Sequence, residues 1–104
     1  MIYYNKLVRD KIPTIIEKSG EIPVTRILDD AEYTRLLEAK LDEEVGEYHA
    51  DHNAEELADI LEVVFALADS IGCSHKELME IYQRKHDSRG GFQDKVYLIG
   101  KESP

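Results

Sequence analysis

The residues with the clearest chemical meaning are two short acidic motifs, Glu43–Glu47 (EEVGE) and Glu56–Asp59 (ELAD). Each motif has two carboxylates three residues apart, a spacing that puts both on one face of a helix. Because like charges one turn apart repel each other, two such pairs predict a cation bound between them. Mg²⁺ is the expected ion, with Mn²⁺ as an alternative, since hard cations take carboxylate oxygens and leave room for substrate phosphates. The motifs therefore predict a metal-dependent enzyme that acts on a phosphorylated substrate.

Two simpler interpretations of these motifs stay open. The carboxylates of the first motif could form a solvated helix face, and Glu56 could serve only as the acidic residue of a helix cap. Asp59 argues against this, because it lies in the apolar run 57–71, where an unpaired carboxylate is costly to bury. A transition-metal site at His49 and His52 is a further alternative, although no third ligand follows at a recognisable spacing.

Basic residues lie on both sides of the acidic motifs in the sequence. Lys85 and Arg89 are one helical turn apart, so both could reach one anion, and Gly90-Gly91 allows a close backbone approach. The N-terminal bases are Lys6, Arg9 and Lys11. Both groups could instead be ordinary charges at helix ends.

Length and charge limit the class of protein. The chain has 104 residues, which predicts one domain over residues 1–104, and its net charge is −9. Thirteen acids and two bases lie between Asp29 and Glu62, so a nucleic-acid-binding surface is not expected. The sequence has no apolar run long enough to cross a membrane, and a lone Cys73 fits a reducing cytoplasm. We therefore expect a cytoplasmic protein that binds neither nucleic acid nor membrane.

The pattern of apolar and capping residues predicts a mainly α fold. Helices are expected over about 9–18 and 30–50, from an Asn53 N-cap through the apolar run 57–71, and from a Ser74 N-cap to about residue 88. Asp29 or Asp30 is the expected N-cap of the second helix. The alternating, β-branched segments 22–28 and 95–99 predict a small two-stranded β element. The third helix is apolar nearly all round, which is typical of a bundle core or an oligomer interface.

Together with the two acidic motifs, two further segments resemble a known family. They are Tyr4–Pro13 (YNKLVRDKIP) and Arg89–Phe92 (RGGF), and the combined match spans nearly the whole chain. The chain resembles the MazG-like nucleotide pyrophosphohydrolases, especially their phosphoribosyl-ATP pyrophosphohydrolase-like branch. The interval between the acidic motifs, residues 48–55, is shorter than this family usually shows.

The resemblance implies an all-α bundle that forms a homodimer or a higher homo-oligomer. It implies Mg²⁺-dependent hydrolysis of a nucleoside triphosphate, or a related nucleotide, to monophosphate and pyrophosphate, with house-cleaning as one candidate role. Two alternatives are phosphoribosyl-ATP hydrolysis in histidine biosynthesis and a non-enzymatic acidic interaction module. The implied metal ligands are Glu44, Glu47, Glu56 and Asp59.

The same hypothesis assigns roles to other residues. Glu43 or Glu47, if not fully used in coordination, would orient the attacking water as a general base. A further set would contact the substrate by charge or, for the aromatic residue, by stacking on a base: Lys6, Arg9, Lys11, Lys40, Lys85, Arg89 and Phe92.

Overall fold

Four helices and their connections make up the fold. The computed structural model describes all 104 residues and contains no strand. The helices are α1 (Ile12–Lys18), α2 (Asp30–Asp51), α3 (Ala54–Ser70) and α4 (His75–Arg89). The prediction of a mainly α fold is confirmed.

The longer helices begin at the predicted capping residues. Asp29, Asn53 and Ser74 each accept a hydrogen bond from the backbone N–H three residues later, at 2.8, 3.0 and 3.1 Å. These bonds satisfy N–H groups that have no partner within the helix. α1 is shorter than predicted and starts at Ile12, so Arg9 lies in the preceding non-helical segment.

Helices α2 and α3 form an antiparallel hairpin. They are joined by His52 and Asn53, and His52 adopts a left-handed conformation that reverses the chain. The buried apolar residues are Leu37 of α2 with Val63 and Ala68 of α3. Because the connection is so short, the last turns of α2 lie beside the first turns of α3. The two acidic motifs therefore lie at the same end of the hairpin.

The predicted β element is wrong. Segments 22–28 and 95–99 are not strands, and no backbone hydrogen bond joins them. Ile27 and Ile99, for example, are 95% and 94% exposed. A strand needs a partner for its backbone groups, and alternating β-branched residues do not supply one within this chain.

The fourth helix extends away from the hairpin. It contacts α3 only, and the rings of Phe65 and His75 lie 4.2 Å apart between their centroids at this junction. The chain consequently measures 66 × 31 × 22 Å with a radius of gyration of 18.5 Å. A compact domain of this length has a radius of gyration of about 13 Å. None of the four helices combines the length and apolar character needed to cross a membrane.

Arg26 ties the segment before α2 to its first turn. Its guanidinium donates to both carboxylate oxygens of Glu32, at 3.1 and 2.8 Å. This hydrogen bonding is the main cause that lowers the pKa of Glu32 to about 2. Because the folded-state pKa is depressed, the pair stabilises the fold above about pH 4.5, and this contribution is lost as the pH falls towards 2.

Replacing Arg26 by Gln should therefore return the pKa of Glu32 towards its ordinary value of 4.5. An NMR titration that follows the side-chain carboxyl carbon of Glu32 in both proteins measures this shift. A pKa that stays near 2 in the Arg26→Gln variant would show that the ion pair is not its cause.

Candidate metal centre

Three carboxylates meet at the closed end of the helical hairpin. Glu44 comes from α2, while Glu56 and Asp59 come from the first two turns of α3. Each offers an oxygen that lies within 4.8 Å of the oxygens of the other two. Two oxygens that bind one Mg²⁺ at about 2.1 Å lie no more than about 4.2 Å apart, so small side-chain rotations would bring this set to one ion.

Glu44 is the buried member of the group. It is 7% exposed and is the only buried charged residue of the chain. Its Oε1 lies 3.3 Å from Lys40 Nζ, but its Oε2 is buried without any hydrogen-bond partner. An unpaired carboxylate oxygen in a protein interior is costly, and a bound cation would remove that cost. This oxygen is the strongest structural sign of a ligand.

Glu56 lacks a basic partner. Its Oε2 is also buried and unpartnered. Partial burial raises the pKa of Glu56 to about 6, and the nearby carboxylates of Glu47, Asp51 and Asp59 contribute to the rise. The end of the hairpin thus holds more negative charge than its own bases neutralise.

The other two predicted acidic residues lie beside this group. Glu47 is exposed but close enough to Glu56 to contribute to its raised pKa. Glu43 receives hydrogen bonds from Lys6 and Lys40, at 3.1 and 3.2 Å. Partial burial opposes ionisation of Glu43, but these lysines outweigh it and lower its pKa.

Two bases of the N-terminal segment also reach the acidic residues. Lys6 pairs with Glu43, as described above, and Arg9 Nη1 donates to Asp59 Oδ1 at 3.3 Å. Arg9 Nη2 also lies 3.7 Å from Glu62 Oε2. Residues 1–11 are therefore connected through side chains to both helices of the hairpin. Lys11 makes no ion pair.

The C-terminal group of predicted substrate residues lies elsewhere. Lys85, Arg89 and Phe92 line one open pocket of about 450 Å³ at the end of α4. No ion pair links these bases to the carboxylates of the hairpin, and α4 does not contact α2. Within one chain, the structure thus separates the predicted substrate residues into two groups.

His49 and His52 belong to no group of possible metal ligands. His52 ends α2 in a left-handed conformation, and the ring of Tyr48 lies 5.4 Å from its ring between centroids. The carboxylates are the only set of three or more possible ligands in the structure.

Sequence reasoning assigned no role to three residues next to these sites. Glu62, the second partner of Arg9, lies one turn beyond Asp59, a spacing that the sequence itself shows. Tyr82 and His86 line the pocket of Lys85 and Arg89. All four occupy one helix face, at relative positions 0, 3, 4 and 7, which the sequence also contains.

Comparison with known proteins adds little to this geometry. A segment of 45 residues is 58% identical to part of a Mycolicibacterium smegmatis protein described as uncharacterized. The match covers 43% of this chain and 46% of that protein. No protein-family model and no solved structure matches the chain.

If the buried oxygens of Glu44 and Glu56 bind a divalent ion, Mn²⁺ or Mg²⁺ should raise the temperature of unfolding, because an ion that binds only the folded state stabilises it. Glu44→Gln should weaken Mn²⁺ binding by about tenfold or more, since it removes a charged ligand. Isothermal titration calorimetry and thermal unfolding followed by circular dichroism measure both effects.

The matched control is Glu38→Gln, which removes one negative charge from an exposed position of the same helix. It should change Mn²⁺ affinity only slightly because exposed charges are screened by solvent and salt. Equal weakening in both variants would indicate a diffuse surface effect rather than a coordination site.

Proposed function

We propose that the chain is a divalent-metal-dependent nucleotide pyrophosphohydrolase whose metal is held by Glu44, Glu56 and Asp59. The observation that carries the proposal is the cluster of these carboxylates within 4.8 Å, including an unpartnered buried oxygen of Glu44. The resemblance of the acidic motifs, the N-terminal run and the Arg89–Phe92 segment to MazG-like enzymes supports the same assignment.

The donor set fits Mg²⁺ or Mn²⁺, because it consists only of carboxylate oxygens. When bound, such an ion would stabilise the charge of phosphate oxygens and lower the pKa of a coordinated water. Three protein ligands leave coordination positions for that water and for the substrate. The bases next to the cluster, Lys6, Arg9 and Lys40, are suited to bind the remaining phosphate charge.

Glu47 is the better of the two predicted general bases. It is exposed, has no basic partner and is close to Glu56, so its carboxylate is available to accept a proton from water. Glu43 is held by two lysines, which lower its pKa and make it a weaker proton acceptor. In the proposed reaction, one water molecule is consumed as the anhydride bond breaks, and monophosphate and pyrophosphate leave.

The pocket at the end of α4 suits a nucleotide by its chemistry. Phe92 presents an exposed ring for stacking on a base, next to the two charges of Lys85 and Arg89. We assign this pocket to substrate binding on the same hypothesis.

Asp59→Asn should reduce Mg²⁺-dependent pyrophosphate release to the background rate, because the amide removes one ligand charge. The helix content should persist, since Asp59 is half-buried and caps no helix. A coupled pyrophosphate assay over a panel of nucleoside triphosphates and phosphoribosyl-ATP, with circular dichroism of both proteins, measures activity and fold together. The control is Glu55→Gln, an exposed acid of the same helix outside the cluster.

Each outcome of this assay has a defined meaning. If pyrophosphate is released from phosphoribosyl-ATP and from no nucleoside triphosphate, the biosynthetic alternative is favoured over a general nucleotide hydrolase. Weak, salt-screened Mg²⁺ binding with no pyrophosphate from any substrate would instead support an acidic interaction module. Full activity of Asp59→Asn would exclude the metal assignment.

We also propose that the chain works as a homo-oligomer. Its accessible surface is 9467 Å², whereas a compact monomer of 11.9 kDa exposes about 5,900 Å². The excess is larger than the roughly 800 Å² that each partner buries in a standard interface. Leu57 and Leu61, one turn apart on α3, are about half exposed and offer an apolar face for a second copy.

Analytical ultracentrifugation at micromolar concentration should accordingly give a mass of at least two chains. Leu61→Glu should shift the equilibrium towards the monomer, because a charge in an apolar interface is costly to bury. The control Arg84→Glu changes the charge of an exposed position on α4 that makes no ion pair and should leave the mass unchanged. A wild-type protein that remains monomeric at all concentrations would contradict this assembly.

A further inference from the structure

The N-terminal segment supplies a positive charge to a carboxylate that the proposed metal also needs. Arg9 contacts Asp59 at 3.3 Å, and Asp59 is one of the three clustered residues. The other two have different surroundings: Glu44 pairs with Lys40 of its own helix, and Glu56 has no base. Arg9 is therefore the one base outside the hairpin that contacts a residue of the cluster.

We propose that Arg9 is a tethered counter-ion of Asp59 that exchanges this carboxylate for a substrate phosphate when the divalent ion binds. The inference rests on the proposed function and adds to it the order of events at Arg9. A divalent cation at the cluster would repel the guanidinium of Arg9 and attract the carboxylate of Asp59. The ion pair between Arg9 and Asp59 would therefore weaken as the metal binds.

The ion pair has the properties that an exchange requires. The side chains of Arg9 and Asp59 are 61% and 39% exposed, and pairs this exposed are weak enough for a bound metal to break. An Arg side chain cannot lose its proton to escape the repulsion, so it has to move.

Neighbouring contacts keep Arg9 close after it leaves Asp59. Glu62 is one turn further along α3, outside the cluster, and already lies 3.7 Å from the same guanidinium. Lys6 anchors the same segment to Glu43 of α2 at 3.1 Å. The freed guanidinium therefore stays beside the metal, where a fork of donors binds a phosphate well.

The exchange predicts that one substitution of Arg9 raises the affinity for the metal and lowers the affinity for a phosphate ligand. Arg9→Gln should bind Mn²⁺ about two- to fivefold more tightly than wild type, since a competing cation is removed. With Mn²⁺ saturating, the same variant should bind inorganic pyrophosphate about tenfold more weakly, because a charge-assisted contact is lost. Isothermal titration calorimetry at low ionic strength measures both affinities directly and does not depend on turnover.

Two further variants separate the exchange from general charge effects. Lys18→Gln removes one positive charge from an exposed residue at the end of α1 that makes no ion pair, and should change neither affinity beyond about twofold. Arg9→Lys keeps the charge and should bind Mn²⁺ as wild type does, while recovering part of the pyrophosphate affinity. Far-UV circular dichroism checks that all variants retain wild-type helix content.

The outcomes distinguish this inference from the function on which it rests. If wild type binds Mn²⁺ but Arg9→Gln binds it equally or more weakly, the exchange is wrong and the metal centre stands. If wild type and Glu44→Gln both fail to bind Mn²⁺, the metal centre and the exchange are both overturned. Tighter Mn²⁺ binding with unchanged pyrophosphate binding would also overturn the exchange, since Arg9 would then only compete with the metal.

Discussion

Concentrated negative charge at the closed end of the α2–α3 hairpin is the constraint on which the rest of the site depends. Glu44 is nearly fully buried, Glu56 and Asp59 lie within 4.8 Å of it, and Lys40 is its one basic partner. Carboxylates so close repel one another, and the pKa of Glu56 is raised first by burial and then by its acidic neighbours. The hairpin thus holds a group of charges that is unfavourable without a cation.

The protein manages this charge in two ways. Within α2, Lys40 lies three and four residues before Glu43 and Glu44 and pairs with both, which a helix achieves without any tertiary contact. Across the chain, residues 1–11 bring Lys6 to α2 and Arg9 to α3. The first type of pair is part of the helix, whereas the second can open without disturbing the hairpin. A site built this way can keep its carboxylates in place and still change their partners.

Because the chain is extended, a single copy has neither a large core nor a continuous substrate site. Only three apolar residues are buried, and the pocket of Lys85, Arg89 and Phe92 is not connected to the carboxylates within one chain. A fold with so small a core gains little free energy from burying apolar surface within one chain. Burial between copies would add to it, which is the physical reason for proposing an oligomer. The exposed face of α3 and the apolar tail at 96–99 are the surfaces still available.

The sequence alone determined the local features. Helix starts at Asp29, Asn53 and Ser74 follow from side chains that cap their own backbone, and the short interval between the two acidic motifs allows them to converge once the helices pack antiparallel. Long-range features were decided only by the tertiary structure. Segments 22–28 and 95–99 have strand-like patterns but no partner. Arg9 contacts Asp59 and Glu62, two of the thirteen acids from residue 29 to residue 62, because of where the N-terminal segment lies. Periodicity and capping involve neighbours a few residues apart, whereas strand pairing, the burial of Glu44 and the partner of Arg9 depend on residues that meet only after the chain has folded.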